Sequence, residues 1–106
     1  MVEWFDRQGR PIDLSQAEEL LGDYDYKRVA EDIFVFEGEP VRISTVWLGL
    51  NHNWMHPQIP LIFETMIFGG TLNLAQWRYG TETQALAGHA DAVALVQVRH
   101  GQPQTD

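Results

Sequence analysis

Two stretches of the chain are apolar at almost every position, and the rest is organised around them. Residues 41–50 (VRISTVWLGL) place Ile43, Thr45, Trp47 and Gly49 on one side of an extended strand, and Ser44, Val46, Leu48 and Leu50 on the other. Residues 60–68 (PLIFETMIF) set Leu61, Phe63, Thr65 and Ile67 opposite Ile62, Glu64, Met66 and Phe68. Apolar side chains on both sides are the pattern of central strands. Upstream, residues 24–36 (YDYKRVAEDIFVF) favour extended structure through Val29, Ile33, Val35 and the aromatics, with a break at Ala30-Glu31-Asp32 that reads as a bulge or irregular link. Glu37-Gly38-Glu39-Pro40 supplies the turn into the next strand. A second turn at Gly69-Gly70-Thr71-Leu72-Asn73 leads to a shorter strand over 75–79.

The pattern changes period in two places. In DLSQAEELLG an apolar stripe of Leu14, Ala17, Leu20 and Leu21 predicts a short helix stopping at Gly22. Ser15 with Glu18 forms a capping-box pattern, and Asp13 with Gln16 forms a competing one. Thr81 and Gln84 open the clearest helix, over 82–98, with a stripe of Leu86, Ala90, Val93 and Val96. The N-terminal EWFDRQGRPIDL reads as a short extended piece turning at Gly9, and residues 99–106 as a polar, disordered tail. The expected fold is α+β. It is a single domain over residues 1–98, with an antiparallel meander of about four strands and an N-terminal and a C-terminal helix packed on it. Two helices cover one face of such a sheet, and the apolar side chains left on the other predict a homodimer through it.

Composition narrows the partners. The chain has 106 residues, no cysteine, and a formal net charge of −8. Disulfides, thiolate catalysis and cysteine-built zinc sites are therefore excluded. The charge is uneven, with eleven carboxylates against four Lys or Arg in residues 1–40, and four against three in the remainder. Such a surface repels phosphates, so no direct nucleic-acid contact is expected, and a protein with a basic surface is the natural complement. Glu64 and Gly69-Gly70 interrupt the longest apolar run, so no membrane span is expected. The N-terminal residues lack the basic-then-apolar pattern of a secretory signal, and the expected compartment is the cytoplasm.

Candidate chemistry is sparse. His52 and His56 stand four apart, but Asn51, Pro57 and Pro60 argue against the helix on which that spacing chelates, and no metal site is expected. Glu64, flanked by apolar residues, must be paired, hydrogen-bonded or protonated if buried, with His52, Arg42, Arg78 and His89 as partners. Ser44, Thr45 and Thr65 sit in no nucleophile elbow, and FGGTLN has neither a Walker lysine nor dinucleotide-binding spacing, so neither a catalytic set nor a cofactor is expected. The residues Asn51, His52, Glu64, Arg78 and His89 read as a structural polar cluster, with Asn51-His52 meeting Glu64 to hold a strand end. Trp47 and Trp77 read as core. Trp54 and Met55, in the loop, read as an interface anchor or a lid over the sheet.

The order RISTVWLGLNHNW, PLIFETMIFGG, WRYGTETQALAGHADAV resembles a family of small uncharacterised proteins encoded by bacteriophages and prophages. The likeness spans about residues 40–97. It rests on a strand ending Leu-Gly-Leu before an acidic or amide residue and histidine, on a Phe-Glu-Thr-Met strand, and on an Arg-Tyr-x-Thr entry into an alanine-rich helix with Gly-His. The loop departs from the family, which is often glycine-rich after the histidine where this chain has Asn53-Trp54-Met55-His56-Pro57. The resemblance implies a phage protein in the host cytoplasm and no settled activity. With the acidic N-terminal third, it leads to the expectation of a stoichiometric binder of a host protein, such as a counter-defence factor against a nuclease or CRISPR effector. Glu18, Glu19, Asp23 and Asp25 would present its carboxylates, and Trp54 and Met55 would serve as anchors. The alternatives are a small enzyme or ligand-binding domain built on His52, Glu64 and Arg78, and a virion or assembly component.

Overall fold

The computed structural model describes residues 3–101. The part of the expected tail that falls on residues 102–106 lies outside the described residues. The chain begins with a two-stranded hairpin, β1 (Trp4–Phe5) and β2 (Pro11–Ile12), followed by α1 (Leu14–Leu21) and the single turn α2 (Tyr24–Lys27). A four-stranded antiparallel meander follows, in the order β3 (Arg28–Phe36), β4 (Glu39–Trp47), β5 (Phe63–Phe68) and β6 (Gln76–Tyr79), and α3 (Glu82–Gly101) closes the chain. The fold is α+β, with the strand order of the sequence pattern.

Local chemistry sets the element ends. Glu37 and Gly38, both with positive φ (53° and 82°), make a two-residue connection between β3 and β4, the backbone signature of a type I′ hairpin turn. The turn is thus shorter than the four residues expected, and Pro40 pairs with Val35 inside β4. The irregularity in β3 falls between Arg28 and Ala30, just before the predicted break. β4 ends at Trp47 rather than at Leu50 because Gly49 turns the chain at φ 78°, where a β-carbon would sit 2.7 Å from the Trp47 indole. Leu50 instead bridges Trp4 of the N-terminal hairpin. β5 starts at Phe63, three residues later than the apolar pattern predicts, because Leu61 and Ile62 bond to His52 and Leu48 beyond the end of β4, and Ile62 also to Tyr79 of β6.

Of the two rival capping boxes at α1, the structure has Asp13 with Gln16. At α3, Thr81 Oγ1 accepts from the Gln84 amide, and the Gln84 side chain accepts from Gly80. The helix continues through Arg99, His100 and Gly101, three residues of the expected tail, and the His100 ring stacks on Phe36 at 4.9 Å.

The helix α3 lies on one face of the sheet and α1 and α2 pack at its end, where β3 begins and β4 finishes. There Trp47, buried, donates its indole N–H to the Phe5 carbonyl and meets Tyr26 edge-on at 5.1 Å. Arg7 joins three elements, since its guanidinium reaches Glu82 at 2.7 Å and the Tyr26 carbonyl at 3.0 Å. The core under α3 is two apolar clusters. Phe5, Trp47, Ile62, Phe63 and Ala85 form one, and Val41, Ile43, Ile67, Ala92 and Val96 the other. Full burial of each large side chain stabilises the fold by roughly 1.5–3 kcal/mol.

The buried stripe of α3 is Ala85, His89, Ala92 and Val96, rotated from the Leu86-based stripe that the sequence predicts; Leu86 is half exposed. The cause is close approach, since a β-carbon on Gly88 would lie 2.2 Å from the Tyr79 ring, so α3 sits down on β6 through its small residues. Trp77 is partly exposed on the edge strand β6 and is not a core residue.

Candidate functional site

The segment between β4 and β5 is held as a stiff loop by two asparagines. Asn51, 6% exposed, donates through its side-chain amide to the Pro57 carbonyl at 2.8 Å. Its side-chain oxygen accepts from the backbone amides of Asn53 at 2.9 Å and Leu61 at 3.2 Å. Asn53 repeats the device one step outward, donating to the Ile59 carbonyl and accepting from the His56 amide. The His52 amide bonds the Leu61 carbonyl, so the base of the loop is a ladder extended past the strands. What this frame presents is apolar: Trp54 is 71% exposed, Met55 83% and Ile59 61%. Trp54 leans on the His52 ring at 5.8 Å and is too exposed to serve as a lid over the sheet.

The acidic residues are at the same end of the molecule. Asn51 bonds the Glu3 carbonyl and Leu50 bridges Trp4, which ties the loop to the N-terminal hairpin against which α1 packs. Glu18 and Glu19 are exposed on α1. Asp23 caps α2 by accepting from the Tyr26 amide, so its carboxylate is partly committed to the fold. Asp25 is almost fully exposed, with Arg28 at 3.7 Å.

The structure divides the polar cluster expected around Glu64. Glu64 and Arg78 are direct cross-strand partners, with Arg78 Nε 3.1 Å from the carboxylate. His52 lies within their electrostatic reach. Burial holds its pKa below the usual histidine range, the Arg78 guanidinium pushes the same way, and Glu64 opposes both. Asn51 bonds to the loop backbone rather than to Glu64. His89 is not part of the group, because α3 covers the opposite face of the sheet. Strand alternation points Thr45 and Thr65 toward α3 and Glu64 away from it.

His89 instead centres a network that the sequence reading missed. Its Nδ1 lies 2.7 Å from Thr45 Oγ1 and its Nε2 2.8 Å from the Asp32 carboxylate, and Thr45 Oγ1 also bonds Thr65 Oγ1. Carboxylate, imidazole and hydroxyl in series is the order that activates a nucleophile. Here Thr45 and Thr65 are fully buried, so no substrate carbonyl reaches the hydroxyl. The group is a satisfied polar layer between the two apolar clusters, and among the described residues no buried side-chain nitrogen or oxygen lacks a partner. The sequence carried one signal, which is that His89 stands four residues after Ala85 and two threonines occupy the centre of the apolar strand faces.

Among the described residues no three His, Cys, Asp or Glu side chains come together as a metal-ion set, and no helix is long and apolar enough to cross a membrane. No family model matches the chain, and neither a curated protein nor a solved structure does.

Proposed function

We propose that this chain is a stoichiometric protein-binding factor whose partner carries a basic surface. The observation that carries this reading is the end of the molecule that holds both Trp54 and Met55, exposed on a hydrogen-bonded loop, and the exposed carboxylates of α1 and α2. Aromatic and Met anchors held rigid before binding lose little conformational entropy on docking, and they are the residue types that dominate interface energetics. Glu18, Glu19 and Asp25, exposed at the same end of the molecule, add negative charge, which speeds association with a cationic surface and makes it salt-sensitive.

The likeness of residues 40–97 to small phage-encoded proteins supports a partner in the bacterial host and a counter-defence role, such as inhibition of a nuclease or CRISPR effector. The net charge of −8 argues that the chain competes with nucleic acid for a basic surface rather than binding nucleic acid itself. The catalytic alternative has less support, because the Glu64 carboxylate is committed to an ion pair with Arg78 and the His52 ring near them packs against Trp54. The test is affinity capture from the bacterial host, comparing the wild-type chain with Glu18→Lys/Glu19→Lys. Capture that falls with added salt and is lost on charge reversal supports the reading; capture indifferent to both refutes it.

A further inference from the structure

The sheet face opposite α3 carries a trough of about 410 Å³, and its charge runs against that of the whole chain. Val46, Met66 and Phe68 form an apolar floor with Ser44 among them, and Leu21 and Tyr24 wall one end. Three of the seven Lys and Arg residues, Lys27, Arg28 and Arg42, line it with one carboxylate, Glu64, which Arg78 holds; Arg42 is itself paired with Glu31 at 2.9 Å and Arg28 more loosely with the exposed Asp25 at 3.7 Å. Two of these cations are laid on aromatic rings: the Arg42 guanidinium is 4.5 Å from the Phe68 ring centre and that of Arg28 5.4 Å from Tyr24. Arg28 pairs with Val46, four residues along β4 from Arg42, so the two arginines mark out a length of roughly 14 Å at the rise of a strand.

We propose that this trough binds a small amphipathic anion, an extended apolar body ending in a carboxylate. The volume falls within the range of small-molecule sites, and an apolar floor with a few fixed charges is their usual composition. The cation-rich rim selects the charge. Lys27 and Arg28 lie together at the α2 end and supply the site for the carboxylate, while the body runs along Val46 and Met66 toward Phe68. A second copy of the chain fits less well, because a two-fold contact through this face would set one cation-lined trough against another.

Decanoate is the probe, with decanol as its uncharged control, each titrated into the isotope-labelled protein and followed by amide chemical shifts. The expected result is saturable one-to-one binding of decanoate, with shifts at Ser44, Val46 and Met66 and at least tenfold weaker binding of decanol. Lys27→Gln/Arg28→Gln, both at the surface, should weaken decanoate about tenfold while the rest of the spectrum keeps its folded pattern. Arg99→Gln, on the last turn of α3, should leave the affinity unchanged. Equal affinity for the acid and the alcohol, an unaltered affinity in the double variant, or shifts centred on a second pocket, between β6 and α3 and lined by Trp77 and Leu95, would overturn the proposal. So would sedimentation as a dimer with the trough residues protected and no decanoate bound.

Discussion

The Asn51 side-chain amide and the Pro57 carbonyl, 2.8 Å apart, close the base of the loop that displays Trp54. Because the Asn51 oxygen also accepts two backbone amides, one buried side chain fixes the loop at three points. Asn51→Ala removes all three and leaves those backbone groups without their partner, at a cost of about 1–3 kcal/mol. The expected outcome is a lower urea midpoint and faster hydrogen exchange at the Asn53 and Leu61 amides. Unchanged exchange there would show that the backbone alone holds the loop.

The polar layer gives a second, opposite-looking expectation. Thr45→Val strips His89 Nδ1 and Thr65 Oγ1 of their shared partner and should destabilise the fold by about 1–3 kcal/mol. Converting the buried part of the layer, as Thr45→Val/Thr65→Val/His89→Leu, should recover much of that loss, since the one partner left, the Asp32 carboxylate, is half exposed and water can solvate it. What the apolar layer gives up is the fixed register of α3 on the sheet, a role attested for buried polar groups in other helical contacts. Denaturation curves measure the first effect, and dispersion of amide resonances in α3 the second.

His52 makes a prediction with a defined sign. Its folded pKa lies below the ordinary 6.5, so the folded protein binds that proton less tightly than the unfolded chain does. The stability tied to neutral His52 is fully present above about pH 6.5. It is lost as pH falls from there through the lower folded value. Arg78→Gln should raise the His52 titration midpoint and Glu64→Gln should lower it further, both read from the ring proton shifts. A midpoint unmoved by either substitution would remove the ion pair as a cause.

The sequence showed the strands well because strand-length apolar runs and the turn residues at 37–40 and 69–73 act locally. Residues 41–47 and 63–68 are apolar enough that only their ends moved, and those ends were decided by Gly49 and by bonds to distant strands. What stayed hidden depended on which face of a helix meets the sheet. Leu86 is the more hydrophobic choice for the core, yet Gly88 allows Tyr79 so close that Ala85, His89 and Ala92 turn inward instead. That rotation carries His89 away from Glu64 and onto Thr45, and the helical spacing of Ala85, His89, Ala92 and Val96 competes in the sequence with the more hydrophobic stripe through Leu86. The loop was legible as a polar turn with a tryptophan in it. That two asparagines stiffen it and leave Trp54 outside follows from hydrogen bonds that only the fold brings together.

The central claim is that the Trp54 loop and the carboxylates beside it form one protein-binding surface. It is tested most directly by affinity capture of the proposed partner from a bacterial lysate, in parallel with the wild-type chain and with Trp54→Ala/Met55→Ala, whose side chains lie largely in solvent. Truncating such anchors typically costs an interface at least about 2 kcal/mol while leaving an exposed-site fold intact. The account predicts a partner recovered near one-to-one by the wild-type chain and reduced more than tenfold by the variant, with unchanged thermal stability. Equal recovery by both chains would contradict it.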